Sequence, residues 1–227
     1  MAAAGARRAF LVIRKGKWDL PEYYGDGSAL GLSLGYLIMG VPHGPPYTLD
    51  QAYQFVRGAR VLFGFPDILF GPDDAFAQAL ERLDRTQADV VLGLFRAHDR
   101  RLMDMIEVDR AGRVTDLVIK PRRTRLNLAW VFAVWSDAFT EFVHEHLAGR
   151  ERELARHPRA TRTELLVGHV IQAAIRAGLH VNSVSFPQGS YLDIGTPEGL
   201  SRAWSRGLPL TARRHQREVR SARKRSS

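Results

Sequence analysis

The sequence contains no cysteine and no long uninterrupted apolar run. The lack of cysteine excludes a disulfide framework, a thiolate zinc site and a cysteine nucleophile. No apolar stretch approaches the roughly 18–20 residues that a membrane-spanning helix needs. Near the amino terminus, the charges precede only a short apolar run, and the small-residue cleavage site of a secretory signal is missing. We therefore expect a cytoplasmic protein without a membrane partner.

Acidic residues are scarce at the two ends of the 227-residue chain, so its formal net charge of +9 is unevenly spread. Residues 1–18 carry five basic residues and no acid, whereas residues 211–227 carry a net charge of +6. The residues between them carry a net charge of −2. We expect a disordered leader at 1–8, one domain over 9–210 and a basic disordered tail over 211–227, because the tail shows no apolar periodicity.

Apolar segments of two kinds alternate along the chain. Short apolar runs such as residues 9–13 and 89–95 predict buried strands, and the spacing over residues 73–85 predicts a helix. Capping patterns place further helix starts at Thr48 and Thr161. This alternation predicts the α/β class, with a Rossmann-like mixed, mostly parallel sheet flanked by helices.

Three charged side chains lie where predicted strands end. Asp67 follows the strand predicted over residues 60–66, Asp193 lies in a turn-rich segment, and Lys120 follows the strand predicted over residues 113–119. Ligands of open α/β sheets bind at the carboxyl ends of strands, and Mg²⁺ takes one or two protein carboxylates together with water and phosphate oxygens. Asp67 and Asp193 are therefore candidate magnesium ligands if the fold brings them together. The alternatives are helix or turn caps for the acids and a solvated surface position for the lysine.

Motifs of several other chemistries are missing. The glycine-rich residues 25–31 lack the Lys-[Ser/Thr] of a P-loop and are interpreted as a turn. The sequence contains no His-Glu-x-x-His zinc motif.

Taken in order, several segments resemble the sugar-phosphate nucleotidyltransferase family, which includes glucose-1-phosphate thymidylyl- and uridylyltransferases. The most specific match is Leu-Asp-Ile-Gly-Thr-Pro-Glu at 192–198, which is similar to the family's Asp-x-Gly-Thr-Pro segment. The other matching segments are 23–28, 42–52, 63–70, 109–113, 119–121 and 130–139. Together the matches extend over about residues 9–206.

The resemblance implies a role for each of five residues. Asp67 and Asp193 would hold Mg²⁺, and Gly44 would face the nucleotide base. Lys120 would be the catalytic cation that contacts the sugar phosphate, and Trp130 would lie at the sugar-binding position. The implied reaction is attack by a sugar-1-phosphate oxygen on the α-phosphorus of a nucleoside triphosphate, with release of pyrophosphate. Catalysis of this kind depends on positioning and on charge neutralisation by the metal and cations.

The chain also departs from the family pattern. The family's opening strand and Gly-rich nucleotide-binding loop have no counterpart before Ala9, so we expect an amino-terminally truncated version of the fold. Ile119 replaces the glutamate of the Glu-Lys-Pro motif, and Trp130 replaces a glycine at which the sugar approaches. From these departures we expect no pyrophosphate release by residues 1–227.

Three interpretations therefore stay open at the level of sequence. The first is a sugar-1-phosphate nucleotidyltransferase or a fragment of one. The second is a non-catalytic regulatory relative that binds nucleotide or sugar phosphate. The third is a nucleic-acid-binding protein that uses the basic tail, which is the weakest because the tail lacks aromatic residues for base stacking.

Overall fold

The computed structural model describes residues 1–40, 43–157 and 163–205. These residues form two compact units, of which the smaller consists of 66–69 and 191–205. The larger unit consists of the other described residues up to Ser190. The predicted tail, 211–227, lies outside the described residues.

Strands and helices alternate along most of the described chain. Its strands are β1 (Arg8–Arg14), β2 (Ser33–Met39), β3 (Val61–Gly64), β4 (Ile68–Gly71), β5 (Val90–Arg96), β6 (Met105–Val108), β7 (Val114–Val118), β8 (Leu128–Trp135), β9 (Val181–Ser185) and β10 (Ser190–Asp193). Its α-helices are α1 (Asp19–Tyr24), α2 (Pro45–Asp50), α3 (Tyr53–Val56), α4 (Ala75–Thr86), α5 (Asp137–Arg156), α6 (Val167–Arg176) and α7 (Pro197–Ser205). Within the predicted leader, Ala2–Ala4 form one 3-10 turn.

The main sheet has six strands, in the order β7-β6-β8-β5-β9, with β3 also paired to β8. Strand β8 runs antiparallel to β3, β5 and β6, while β5 and β9 are parallel. The predicted mixed α/β class is confirmed, but the expectation of a mostly parallel sheet is wrong for this sheet. No helix separates β6, β7 and β8 in the described chain, and these strands pair antiparallel, β6 with β7 and β6 with β8.

The core of the larger unit surrounds β5 and β8, which are buried almost throughout. Strands that are covered on both faces read as continuous apolar runs, which is why the sequence predicts them well. Helices α5 and α6 add apolar side chains to this core. A second group of aromatic rings packs around Phe132, whose ring stacks on Phe70 at 4.8 Å between centroids. The centre of the larger unit is therefore filled by closely packed apolar and aromatic side chains.

Two helices differ from their predicted bounds. Helix α2 begins at Pro45, before the predicted start at Thr48, because proline at the first helical positions loses no hydrogen bond. Helix α5 continues to Arg156 into the charged residues 149–159, for which the sequence predicts a loop or a frayed helix end, since arginine, glutamate, leucine and alanine are good helix formers. Helix α6 begins at Val167, and the predicted cap at Thr161 lies outside the described residues.

Candidate functional site

The two predicted metal ligands lie together in the smaller unit. Asp67 lies in the turn between β3 and β4, and Asp193 is the last residue of β10. Strands β4 and β10 pair as a separate two-stranded sheet. The backbone N–H of Ile194 donates to the carbonyl oxygen of Asp67 at 2.7 Å. This bond fixes the backbone of one acid against the segment that carries the other.

Gly195 explains how the two carboxylates can approach one point. A Cβ atom at this glycine would lie 2.5 Å from Asp67 Oδ2 and 3.2 Å from Asp193 Oδ1. The N–H of Gly195 donates to Asp193 Oδ1 at 2.8 Å, which orients that carboxylate. The absence of a side chain therefore leaves a cradle between two exposed carboxylates.

This cradle suits a hard cation such as Mg²⁺, which keeps several waters and takes one or two carboxylates together with substrate phosphates. Within 1–40, 43–157 and 163–205, no group of three or more histidine, cysteine, aspartate or glutamate side chains is arranged to hold a metal ion. A cation between Asp67 and Asp193 would therefore need water or substrate oxygens as additional ligands. That requirement fits a site in which metal and phosphate bind together.

The segment after Asp193 is built to start α7 close to the acid pair. Thr196 Oγ1 accepts a hydrogen bond from the N–H of Gly199 at 3.1 Å and so caps the helix, while Pro197 occupies its first position. A Cβ atom at Gly199 would collide with the backbone carbonyl of Asp193. The packing and capping contacts therefore explain why this segment has a threonine, a proline and a second glycine.

A second group of functional side chains lies in the larger unit and centres on Asp104, which the sequence reasoning missed. Asp104 directly precedes β6, and its Oδ2 accepts a hydrogen bond from the indole N–H of Trp130 at 3.3 Å. Its Oδ1 is buried and has no hydrogen-bond partner. The available signal was a single acid between two methionines at the start of an apolar strand. A buried acceptor without a partner is rare and points to a role outside packing.

The charge of Asp104 depends on its surroundings. Burial raises the pKa of the Asp104 carboxyl above its ordinary value, while the hydrogen bond from the indole of Trp130 and the electrostatic influence of Lys120 and His169 act in the opposite direction. Gly168, the second residue of α6, lies directly against the carboxylate and leaves no room for a Cβ atom. Asp104 therefore connects the two predicted site residues Lys120 and Trp130 with the start of α6.

Lys120 and Trp130 differ in what they offer to a ligand. Lys120 is exposed and has a backbone φ of 39°, a left-handed conformation that is uncommon for residues other than glycine and is enriched at functional sites. Trp130 is only 6% exposed, and its ring packs at 6.3 Å from Phe63 and 5.8 Å from Phe65. The indole thus acts mainly in the core, and its role in binding sugar stays a prediction, as does the phosphate contact of Lys120.

Gly44, predicted to face the nucleotide base, is required by packing. Its φ of 121° and ψ of 162° lie in a region that is essentially restricted to glycine. A Cβ atom here would collide with the backbone of Leu165, whose N–H donates to the carbonyl of His43 at 3.4 Å. The structure therefore gives this glycine a reason that is independent of a nucleotide, and the predicted base contact stays a prediction.

Two curated relatives match the sequence. One is the low-salt glycan biosynthesis nucleotidyltransferase Agl11 of Haloferax volcanii, 24% identical over 190 residues that make up 83% of this chain and 49% of that protein. The other is the mannose-1-phosphate guanylyltransferase of Mycobacterium tuberculosis, 30% identical over 120 residues, 53% of this chain and 33% of that protein. No family model matches the chain.

Among solved structures, UDP-glucose pyrophosphorylase aligns with a TM-score of 0.70 at 15% identity, over 91% of this chain and 84% of that one. The relatives and structural neighbours of this chain are sugar-phosphate nucleotidyltransferases. The resemblance stated from the motifs is thus confirmed, and the chain has the nucleotidyltransferase fold.

The chain spans about half the length of the first curated relative and a third of the second. Across the residues that the structure describes, no helix combines the length and apolar character needed to cross a membrane.

Proposed function

We propose that this protein transfers a nucleoside monophosphate from a nucleoside triphosphate to a sugar-1-phosphate and releases pyrophosphate. The observation that carries this proposal is the pair of carboxylates of Asp67 and Asp193, which face one cradle at Gly195. The names of the two relatives, a nucleotidyltransferase and a guanylyltransferase, support the same reaction class. The proposed place of action is the cytoplasm, where nucleoside triphosphates are supplied.

The reaction moves one phosphoryl centre between two oxygens. An oxygen of the sugar-1-phosphate forms a bond to the α-phosphorus, and the bond from that phosphorus to the bridging oxygen of the β-phosphate breaks. Pyrophosphate leaves with that oxygen, so no further reactant is needed. In such a transfer the protein positions the substrates and stabilises negative charge, because its side chains form few covalent bonds to the reactants.

Asp67 and Asp193 are proposed to hold Mg²⁺, which when bound neutralises charge on the phosphate oxygens. The N–H of Gly195 donates to Asp193 Oδ1 and orients that carboxylate before a ligand arrives, while the N–H of Ile194 donates to the backbone carbonyl of Asp67 and holds the two segments together. Lys120 is proposed to donate to the phosphate of the sugar-1-phosphate as an exposed cation. The nearby charge of Asp104 would orient the lysine ammonium group.

The proposal is tested by measuring pyrophosphate release from a panel of nucleoside triphosphates and sugar-1-phosphates. Asp67→Asn and Asp193→Asn should each lower kcat/KM about a hundredfold or more, the scale observed when a charge-stabilising group is removed. Isothermal titration of Mg²⁺ in the presence of nucleotide should show the same loss of binding. Glu81→Gln, which neutralises an exposed acid on α4, is the matched control and should leave both measurements unchanged.

The same assay decides between the open interpretations. Turnover contradicts the expectation that residues 1–227 release no pyrophosphate. Magnesium-dependent nucleotide binding without turnover with any acceptor favours a non-catalytic relative. Unchanged magnesium and nucleotide binding in both asparagine variants would overturn the proposed metal site.

A further inference from the structure

Two neighbouring loops of the larger unit form an open cleft that has no role in the reaction proposed above. Residues 98–101 and 121–124 line this cleft, which has a volume of about 520 Å³. Its lining includes four arginines and a single acid, and we refer to it as the arginine cleft. The four arginines are Arg100, Arg101, Arg122 and Arg123.

Two of these arginines build the cleft. Arg101 binds both carboxylate oxygens of Asp99, at 3.1 Å through Nε and 2.8 Å through Nη2. These bonds lower the pKa of Asp99 to about 2, so the acid stays charged and is matched by one guanidinium group. Arg100 donates to the backbone carbonyl of Thr124 at 3.3 Å and thereby links the two loops.

The other two arginines are available to a ligand. Arg122 and Arg123 are exposed, and neither has a hydrogen-bond or ion-pair partner among the residues that the structure describes. The cleft therefore has more positive than negative groups, and a concave surface of one charge attracts ions of the opposite sign. Guanidinium groups match the planar geometry of carboxylate and phosphate oxygens, which they bind with two parallel hydrogen bonds.

The position of the cleft along the chain relates it to the proposed substrate. Pro121, which lines the cleft, directly follows Lys120, the proposed cation for the phosphate of the sugar-1-phosphate. A sugar held at Lys120 would thus present its other substituents near the arginines. The volume matches a small-ligand site, and the lining lacks phenylalanine, tyrosine and tryptophan rings on which nucleic-acid bases stack.

We propose that the arginine cleft binds a second anionic group, phosphate or carboxylate, on the sugar-1-phosphate substrate. This inference rests on the proposed nucleotidyl transfer and narrows its substrate class to acidic or doubly phosphorylated sugars. Arg122 and Arg123 supply the hydrogen bonds to the second anion, while Arg100 and Arg101 hold the loops.

Binding is measured first, without nucleotide, by isothermal titration with three probes. Glucose 1,6-bisphosphate or glucuronic acid 1-phosphate should bind about tenfold tighter than glucose 1-phosphate, as expected for a charge-assisted hydrogen bond. Whichever of the two binds more tightly identifies the second group as phosphate or carboxylate. Arg122→Gln and Arg123→Gln should each reduce this preference, and the double variant should abolish it.

Arg110→Gln is the matched control, because Arg110 is an exposed arginine in the hairpin loop outside the cleft and also lacks a described partner. It should keep the full preference, and the melting temperatures of all variants should match because the replaced side chains are exposed. Equal binding of the three probes, or a preference that survives in the double variant, would overturn the proposal. A single-stranded oligonucleotide that binds through Arg122 and Arg123 while the sugar phosphates do not bind would also overturn it.

Turnover separates this inference from the proposed function. Pyrophosphate release that is equally efficient with neutral and with acidic sugar-1-phosphates would refute the role of the cleft while supporting nucleotidyl transfer. A binding preference that depends on Arg122 and Arg123, without turnover of any acceptor, would refute nucleotidyl transfer while supporting the anion site. Preference in both binding and turnover supports both.

Discussion

At the scale of single residues, Gly44 offers the sharpest test of the local geometry. Alanine at this position must adopt a φ of 121° and place its Cβ atom against the backbone of Leu165, which cannot give way as a side-chain end would. Gly44→Ala should therefore lower the free energy of unfolding by about 2–5 kcal/mol, from backbone strain and overpacking together. Urea unfolding followed by circular dichroism measures this change.

Gly40→Ala is the control for that variant. A Cβ atom at Gly40 would meet no other atom within 4 Å, and its backbone does not have the left-handed φ. Its effect should stay within about 0.5 kcal/mol, as for surface substitutions that touch nothing. Equal stability of the two variants would contradict the described packing at Gly44.

The raised pKa of Asp104 predicts that the stability of the folded protein depends on pH. Because burial raises the pKa of its carboxyl in the folded state, the folded protein holds this proton more tightly than the unfolded chain. The stabilisation that comes from this tighter proton binding is complete below pH 3.8, the ordinary pKa that we take for the unfolded chain. It is lost as the pH rises through the pKa of the folded state. In Asp104→Asn the side chain at this position does not titrate. The free energy of unfolding of this variant, relative to that of wild type, should therefore rise over that pH interval.

Urea unfolding of both proteins at several pH values between 4 and neutrality measures this difference. The difference should level off once the pH exceeds the folded pKa. A difference that is constant across the range, or that falls with pH, would contradict the described environment of Asp104.

The sequence predicted some of these residues better than others. Asp67 was accessible to prediction because it follows a predicted strand, and strand ends are where ligands bind. Asp193 was accessible because it lies in the segment 192–198 that resembles the family motif. Asp104 was not, because its surroundings come from Trp130 on β8 and Gly168 on α6, which are distant along the chain. No spacing rule connects residues that meet only in the folded core.

At the scale of secondary-structure elements, β1 and β2 form a parallel pair that differs from the main sheet. Most of their residues are half-buried or exposed, and within the described chain the pair has no hydrogen-bonded neighbour. Strands β5 and β8 are buried and paired on both sides. Backbone amides in sparsely covered elements exchange through low-energy local openings.

Hydrogen exchange followed by mass spectrometry should therefore distinguish the two groups of strands. Amides of β1 and β2 should exchange on the order of a hundredfold faster than those of β5 and β8, because less apolar contact opposes their opening. Equal protection of the two groups would show that β1 and β2 are as well supported as the main sheet.

The sequence predicts long or strongly patterned elements closely: its strand-like residues 128–135 agree with the bounds of β8 at both ends. Strand β10 was missed because its four residues are too few to show a period. The end of α5 was placed too early because Gly149 and its charged neighbours resemble a loop in sequence. Propensity over the whole segment outweighed that single breaker.

At the scale of the whole molecule, the class of fold followed from the alternation of apolar patterns, while strand direction did not. The direction of a strand depends on whether the connection before it crosses over the sheet or turns back. Between β5 and β8, the sequence indicates only one such connection, the hairpin loop at residues 109–112. The cradle between Asp67 and Asp193 could be predicted as two acids but not as a space, because that space exists only where Gly195 meets Asp67 in the fold.

Strand β1 also affects how two copies of the chain can meet. Its outer edge has no partner strand among the described residues, and Arg8 and Arg14 are exposed at its two ends. An unpaired edge invites addition of a strand from another molecule. If a second copy added its own β1, in either direction, guanidinium groups would face one another at both ends. The two arginines therefore oppose self-association at this edge, while a strand with acidic ends would meet no such repulsion.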